Sequence, residues 1–141
     1  MKDLQFPFPY REGQREIVSG VYHTVSSKKT LFVQAPTGVG KTMSAIFPSV
    51  RAIGEGKGET LFYLTAKTIT GTVAWEAFHT LRENGLKFKV TAITAKEKLC
   101  FLDSPECTPE KCPYAKGHFD RVNDAVYELL TSSDELNREI L

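Results

Sequence analysis

The sequence lacks an apolar run approaching the roughly 18 residues that a membrane-spanning helix requires. Its opening stretch, MKDLQFPFPYREG, also lacks the basic-then-apolar pattern of a secretory leader. These absences argue against a membrane partner and lead to the expectation of a cytoplasmic chain. Charge of one sign is not in excess either, since 18 Lys and Arg against 17 Asp and Glu leave a net charge of +1. That balance neither requires nor excludes a nucleic-acid partner, because a basic groove can be offset by acidic faces elsewhere. Internal repeats and low-complexity segments are absent. Cysteine is scarce, and the 3 that occur all fall between Cys100 and Cys112 without forming a tight C-x2-C pair. In a reducing compartment such grouping points to metal or cluster ligation rather than to disulfides.

With 141 residues, 41% hydrophobic and 25% charged, the chain fits one globular domain or part of one. Pro7 and Pro9 among Phe6, Phe8 and Tyr10 predict an extended aromatic lead-in, since proline fixes φ and disfavours helix before it. Ile17, Val18, Val21, Tyr22 and Val25 recur at helical spacing and predict a helix from Arg11 to about Ser27. Strand-type apolar runs are expected at Thr30–Ala35, Thr60–Thr65 and Phe88–Ile93. Helices are expected at 42–53, where Pro48 should introduce a kink, and at 73–83, closed by Asn84-Gly85. GEGKGE, residues 54–59, reads as a flexible connection. The alternation of helix and strand predicts an α/β fold with a parallel sheet. Three strands are few for such a sheet, which implies that more chain follows. Residues 96–117 have no periodicity and read as an irregular loop. A helix follows from His118 to Leu130 with Val122, Ala125, Val126, Leu129 and Leu130 as its stripe. Ser132-Ser133-Asp134 then reads as the cap of a last helix.

The strongest local signal is Ala35-Pro36-Thr37-Gly38-Val39-Gly40-Lys41-Thr42. It fits the phosphate-loop pattern G-x-x-x-x-G-K-S/T except that Ala35 holds the first position. An expected strand precedes it and an expected helix follows, which is the context the chemistry needs. Gly38 and Gly40 permit backbone angles that let successive N–H groups face one point, and the helix N-terminus adds its dipole. Lys41 would then reach the β- and γ-phosphates, the Thr42 hydroxyl would ligate Mg²⁺, and Pro36, Thr37 and Val39 would shape the loop.

Three segments carry a resemblance to a known family. APTGVGKT resembles motif I of superfamily 2 helicases, in which Ala commonly stands first. Tyr10-Arg11-Glu12-Gly13-Gln14 resembles the adenine-reading Q-type motif of that group, and a glutamine amide, both donor and acceptor, matches the adenine edge. Tyr63-Leu64-Thr65-Ala66-Lys67-Thr68-Ile69-Thr70 resembles motif Ia of DinG/XPD-type iron–sulfur helicases. There Thr65, Lys67, Thr68 and Thr70 would offer hydroxyls and a charge to DNA phosphates from a loop after a strand.

Cys100, Cys107 and Cys112, spaced C-x6-C-x4-C, resemble the iron–sulfur insertion of the same helicases. The resemblance implies a 4Fe–4S cluster held by thiolates, with a fourth ligand beyond Leu141. The residues alone leave two alternatives open: a zinc site completed by His118, and unligated cysteines. The implied architecture is a partial RecA-like (P-loop NTPase) motor domain over residues 1–95, followed over 96–141 by the start of an iron–sulfur domain. The implied activity is ATP-dependent 5′–3′ unwinding of single-stranded or forked DNA in repair or replication, performed together with the remainder of the helicase chain. The sequence contains no DEAH-type box and no second motor lobe, so nucleotide binding without turnover is expected of this chain alone. A second reading is a stand-alone nucleotide- or metal-binding module. A third, another phosphate-loop NTPase such as a kinase, leaves the cysteines and the YREGQ segment unexplained.

Overall fold

The computed structural model describes residues 3–66, 68–102 and 106–137, with the backbone alone at 68–70. The chain divides into two units, Met1–Phe88 and Lys89–Leu141. The sequence reading placed its boundary between 95 and 96.

In the first unit the elements are α1 (Gln14–Ser27), α2 (Lys41–Gly54) and α3 (Thr68–Glu83). α2 is the centre, with α1 and α3 packed against it. Its Ile46, Val50 and Ala52 are fully buried and Phe47 nearly so. Two of its serines are buried as well, and each hydroxyl donates to a carbonyl one turn back, Ser44 to Gly40 at 2.8 Å and Ser49 to Ala45 at 2.7 Å. Those bonds let polar side chains enter a core where an unpaired hydroxyl would be costly. α2 runs uninterrupted through Pro48, although proline removes the N–H that would reach the Ser44 carbonyl. α3 buries Ala74, Ala77, Phe78 and Leu81 at spacings of three and four, one face of a helix. The aromatic lead-in docks through Phe6, whose ring meets Phe47 edge-on at 5.3 Å.

Both α2 and α3 stop at a glycine with left-handed backbone. After α3 the Leu86 N–H donates to the Leu81 carbonyl at 3.0 Å and the Gly85 N–H to Arg82 at 2.9 Å. The expected Asn84-Gly85 closure is thus a Schellman turn, sealed by contact between buried positions 81 and 86. After α2 the same pattern joins Lys57 to Ala52 and Gly56 to Ile53, both at 2.9 Å. The GEGKGE stretch therefore begins as an ordered cap and not as a flexible link.

The strand expectations are met only in part. Residues 30–35 and 60–65 form neither a helix nor a ladder among the described residues. Phe32, Phe62 and Leu64 are largely exposed there. A strand's backbone groups count as paired only against a neighbouring strand, and consecutive strands of an alternating fold are neighbours only about two-thirds of the time. Neither segment meets such a neighbour. α3 also begins earlier than expected, so residues 68–70 form its first turn instead of a loop.

The second unit holds β1 (Val90–Thr91), α4 (Lys96–Leu99), α5 (His118–Ser132) and β2 (Glu135–Leu136). β1 and β2 pair in parallel, Val90 opposite Glu135 and Thr91 opposite Leu136. β1 is the short core of the strand expected at Phe88–Ile93. β2 replaces the start of the expected last helix. The reason is local: Ser133 Oγ accepts the Glu135 N–H at 3.1 Å and donates to the Glu135 carbonyl at 2.7 Å. A serine bonded to its i+2 neighbour offers the backbone an alternative to the helical cap. Lys89 donates to the Ser133 carbonyl at 2.9 Å and to Asp134 Oδ1 at 3.2 Å, which fixes the approach to the pair.

Candidate functional site

The phosphate-loop candidate sits where segment 30–35 leads into α2. Gly38 and Gly40 have φ of 84° and 81°, and Gly40 is the N-cap of α2. These are left-handed angles that a β-carbon disfavours, so the two glycines do what the motif requires of them. Lys41, the first residue of α2, folds back over the loop. Its ammonium donates to the carbonyls of Ala35 at 3.0 Å and Pro36 at 2.7 Å. The cation that would meet an anion is therefore held inside the loop's own curve. Thr42 is half-buried, and the Tyr63 hydroxyl approaches its Oγ1 at 3.5 Å. Tyr63 is the first residue of the expected motif Ia, so the start of that segment stands beside Thr42. Thr37 is exposed at the tip and Val39 is tucked in at 9% exposure.

Gln14, read from sequence as the adenine contact, is only 4% exposed. Its Oε1 accepts the Arg11 N–H at 3.0 Å, while its own N–H donates to the Arg11 carbonyl at 3.1 Å. Its amide nitrogen packs on the loop, 2.5 Å from where a β-carbon on Gly40 would stand. One acceptor position of the amide oxygen is thus taken and one is left. Arg11, which the sequence reading passed over, donates from its guanidinium to the Gly38 carbonyl. Its place in the YREGQ segment was the available signal, but nothing in the sequence gave the turn's direction. Tyr10 stacks on Phe6 at 4.4 Å, and the Arg15 guanidinium lies 5.0 Å from its ring centre. Open clefts of about 470 and about 590 Å³ border this tyrosine. At the far end of α1 the Tyr22 hydroxyl donates to Glu55. That bond raises the Tyr22 pKa and lowers that of Glu55.

Of the candidate DNA contacts, Lys67 lies outside the described residues, as do the side chains of Thr68 and Thr70. Thr65 is exposed.

In the second unit the three cysteines differ in exposure: Cys112 is buried, Cys100 half-buried and Cys107 exposed. Cys100 closes α4, its N–H donating to the Lys96 carbonyl at 3.0 Å, and its sulfur accepts the Leu102 N–H at 3.5 Å. Cys112 lies in a turned segment anchored by its N–H to Thr108 at 2.9 Å. Phe101 and Tyr114, each next to or near a cysteine, meet at 5.5 Å. Lys96 has its pKa held above the ordinary value, chiefly by Cys107 and to a smaller extent by Cys100 and Cys112. Sequence reasoning missed Lys96; its position one helical turn before Cys100 was the signal. Among the described residues no three His, Cys, Asp or Glu side chains gather closely enough to share a single metal ion. The His118 ring meets Phe119 edge-on at 5.3 Å.

Comparison with known proteins yields one short likeness. Probable ATP-dependent helicase MJ0942 of Methanocaldococcus jannaschii is 40% identical to this chain over 47 residues, 33% of this chain and 7% of that protein. Over that stretch the chain is similar to a helicase. It spans a small fraction of the relative it matches. No family model matches the chain, and no solved structure matches it. No helix among the described residues is long and apolar enough to cross a membrane.

Proposed function

We infer that this chain supplies the nucleotide-binding start, and part of the cluster-binding segment, of a DinG/XPD-type iron–sulfur DNA helicase. The observation that carries the reading is the loop itself, with two left-handed glycines, a helix opening at Lys41, and that lysine folded into the loop's carbonyls. The likeness to a protein named as a probable ATP-dependent helicase supports it.

In this reading residues 30–35 and 60–65 are strands of a RecA-like parallel sheet. ATP enters with its phosphates on the loop, displacing Lys41 from Ala35 and Pro36 so that the ammonium meets the β- and γ-phosphates. The N–H groups of residues 38–42 and the N-terminus of α2 complete the cradle. Thr42 holds Mg²⁺, positioned beside Tyr63, and Gln14 faces adenine with its remaining lone pair. Cys100, Cys107 and Cys112 hold a 4Fe–4S cluster, whose role when bound is to stiffen a segment poor in apolar core. DNA, single-stranded or forked, is the partner, and 5′–3′ unwinding is the activity of the longer enzyme, with hydrolysis requiring acidic and arginine groups from the remainder of that chain.

Calorimetric titration of the chain with Mg²⁺–ATP tests the reading. Binding is expected in the parent chain and abolished in Lys41→Ala, with circular dichroism unchanged. Equal binding by both proteins removes the phosphate-loop assignment.

A further inference from the structure

Two contacts tie the turn at residues 11–14 to the phosphate loop. Arg11 donates to the Gly38 carbonyl, and Gln14 seals the site of the missing β-carbon on Gly40 at 2.5 Å. Gly38 and Gly40 are the two loop residues with positive φ. The turn is itself closed, by the exchange of bonds between Arg11 and Gln14 at 3.0 and 3.1 Å. With Gln14 4% exposed, the base of that turn is pinned. The adenine assignment of Gln14 leaves Arg11 unexplained.

A peptide group is planar, and its C=O and N–H point to opposite edges. Holding the Gly38 carbonyl on the Arg11 side therefore sends the Val39 N–H to the other side. A cradle for phosphate needs successive N–H groups in line, and glycine, which populates both signs of φ, makes this peptide the easiest in the loop to flip. Arg11 removes that freedom with a charged donor, the stronger kind of hydrogen bond.

We propose that Arg11 is a positioning residue of the phosphate loop, fixing the Gly38–Val39 peptide so that the Val39 N–H faces the anion. It acts on the phosphates and not on the base. The inference rests on the reading of residues 35–42 as the phosphate site. A loop already ordered loses less freedom when the anion arrives, so the effect belongs to any polyphosphate, with or without a nucleoside.

Two probes separate the possibilities: Mg²⁺–ATP, and Mg²⁺–tripolyphosphate, which has no base. Both are titrated into the full chain and into Arg11→Met, Arg11→Lys and Lys41→Ala, with thermal midpoints recorded alongside. Arg11→Met is expected to weaken both probes by the same factor, about five- to tenfold, the size of one exposed charged hydrogen bond. Its midpoint should match that of the parent, and Arg11→Lys should retain most of the affinity. A loss confined to ATP would place Arg11 on the base and overturn the proposal. Unchanged affinity in Arg11→Met would do the same, as would a loss that follows a lowered midpoint. Lys41→Ala keeps the two inferences apart. If it binds both probes like the parent, the loop is not a phosphate site and the role of Arg11 falls with it. If it loses binding while Arg11→Met does not, the phosphate site stands and the Arg11 assignment alone is lost.

Discussion

In the unit Met1–Phe88 the helices bring aliphatic and aromatic side chains together, with Ile46, Val50 and Leu81 fully buried and Phe47, Phe78 and Leu86 nearly so. In the unit Lys89–Leu141, Cys112 is the one buried side chain among the described residues, and α5 buries none. The second unit is instead tied by polar links. Lys89 reaches Ser133 and Asp134, Arg121 reaches the Lys116 carbonyl at 2.9 Å, and Lys111 pairs with Glu106. Exposed ion pairs contribute little, typically under about 1 kcal/mol each. The contrast teaches that the first unit can be ordered by hydrophobic burial, whereas the second calls for a different source of order. Segments with too small a core commonly take it from a metal or cluster.

The largest effect should come from supplying that source. Anaerobic incubation with ferric iron, sulfide and an excess of a small thiol, which serves as reductant and fourth ligand, should give the chain a brown chromophore and protect α5 amides from exchange. Cys107→Ser should show neither gain. A parent chain that stays colourless would sink the cluster assignment and erase the contrast. Next comes the core of the first unit. Leu81→Ala should cost about 2–5 kcal/mol, since it both leaves a cavity and strips the contact that seals the Schellman turn. Chemical denaturation measures this, and a loss below about 1 kcal/mol would mean that the core is not where the unit's stability lies. A smaller loss is expected from Gly40→Ala. The added β-carbon meets the Gln14 amide at 2.5 Å and sits at a φ of 81°, which costs of order 1–3 kcal/mol. Mg²⁺–ATP affinity should fall with it, and unaltered stability and affinity would contradict the packing of Gln14 on the loop.

The smallest effect concerns pH and the Tyr22–Glu55 bond. Glu55 is depressed below its ordinary 4.5 chiefly by the hydrogen bond from Tyr22. Its contribution is therefore present above that value and lost as pH falls through the depressed one. Tyr22 is raised above 10.0 by the same bond, so its contribution holds below that value and is lost as pH rises through the raised one. Glu55→Gln should flatten both limbs of the stability–pH curve. A variant curve that parallels the parent's would show that the bond adds nothing in solution.

The helices were legible because their signals are local. α1 follows the spacing of Ile17 to Val25, α5 that of Val122 to Leu130, and Asn84-Gly85 ends α3 through glycine's left-handed freedom. The backbone of the candidate loop at 35–42 was legible for the same reason, as Gly38 and Gly40 could be assigned positive φ from residue type alone. The strands were less so, because an apolar run becomes a strand only when another segment pairs with it. Thr30–Ala35 and Thr60–Thr65 have no strand partner among the described residues, while Glu135–Leu136, with no strand pattern of its own, pairs because Lys89 and Ser133 bring it to Val90.

The sequence by itself determined where helices run, where the chain can turn with positive φ, and which polar and thiol side chains are available. These depend on neighbours within a turn or two of backbone. Only the tertiary structure decided that Arg11 and Gln14 close on the two loop glycines and that Tyr63 stands beside Thr42. Each of those is a contact between separate segments or across a loop, fixed by packing and charge in space, and no local preference of the chain encodes it.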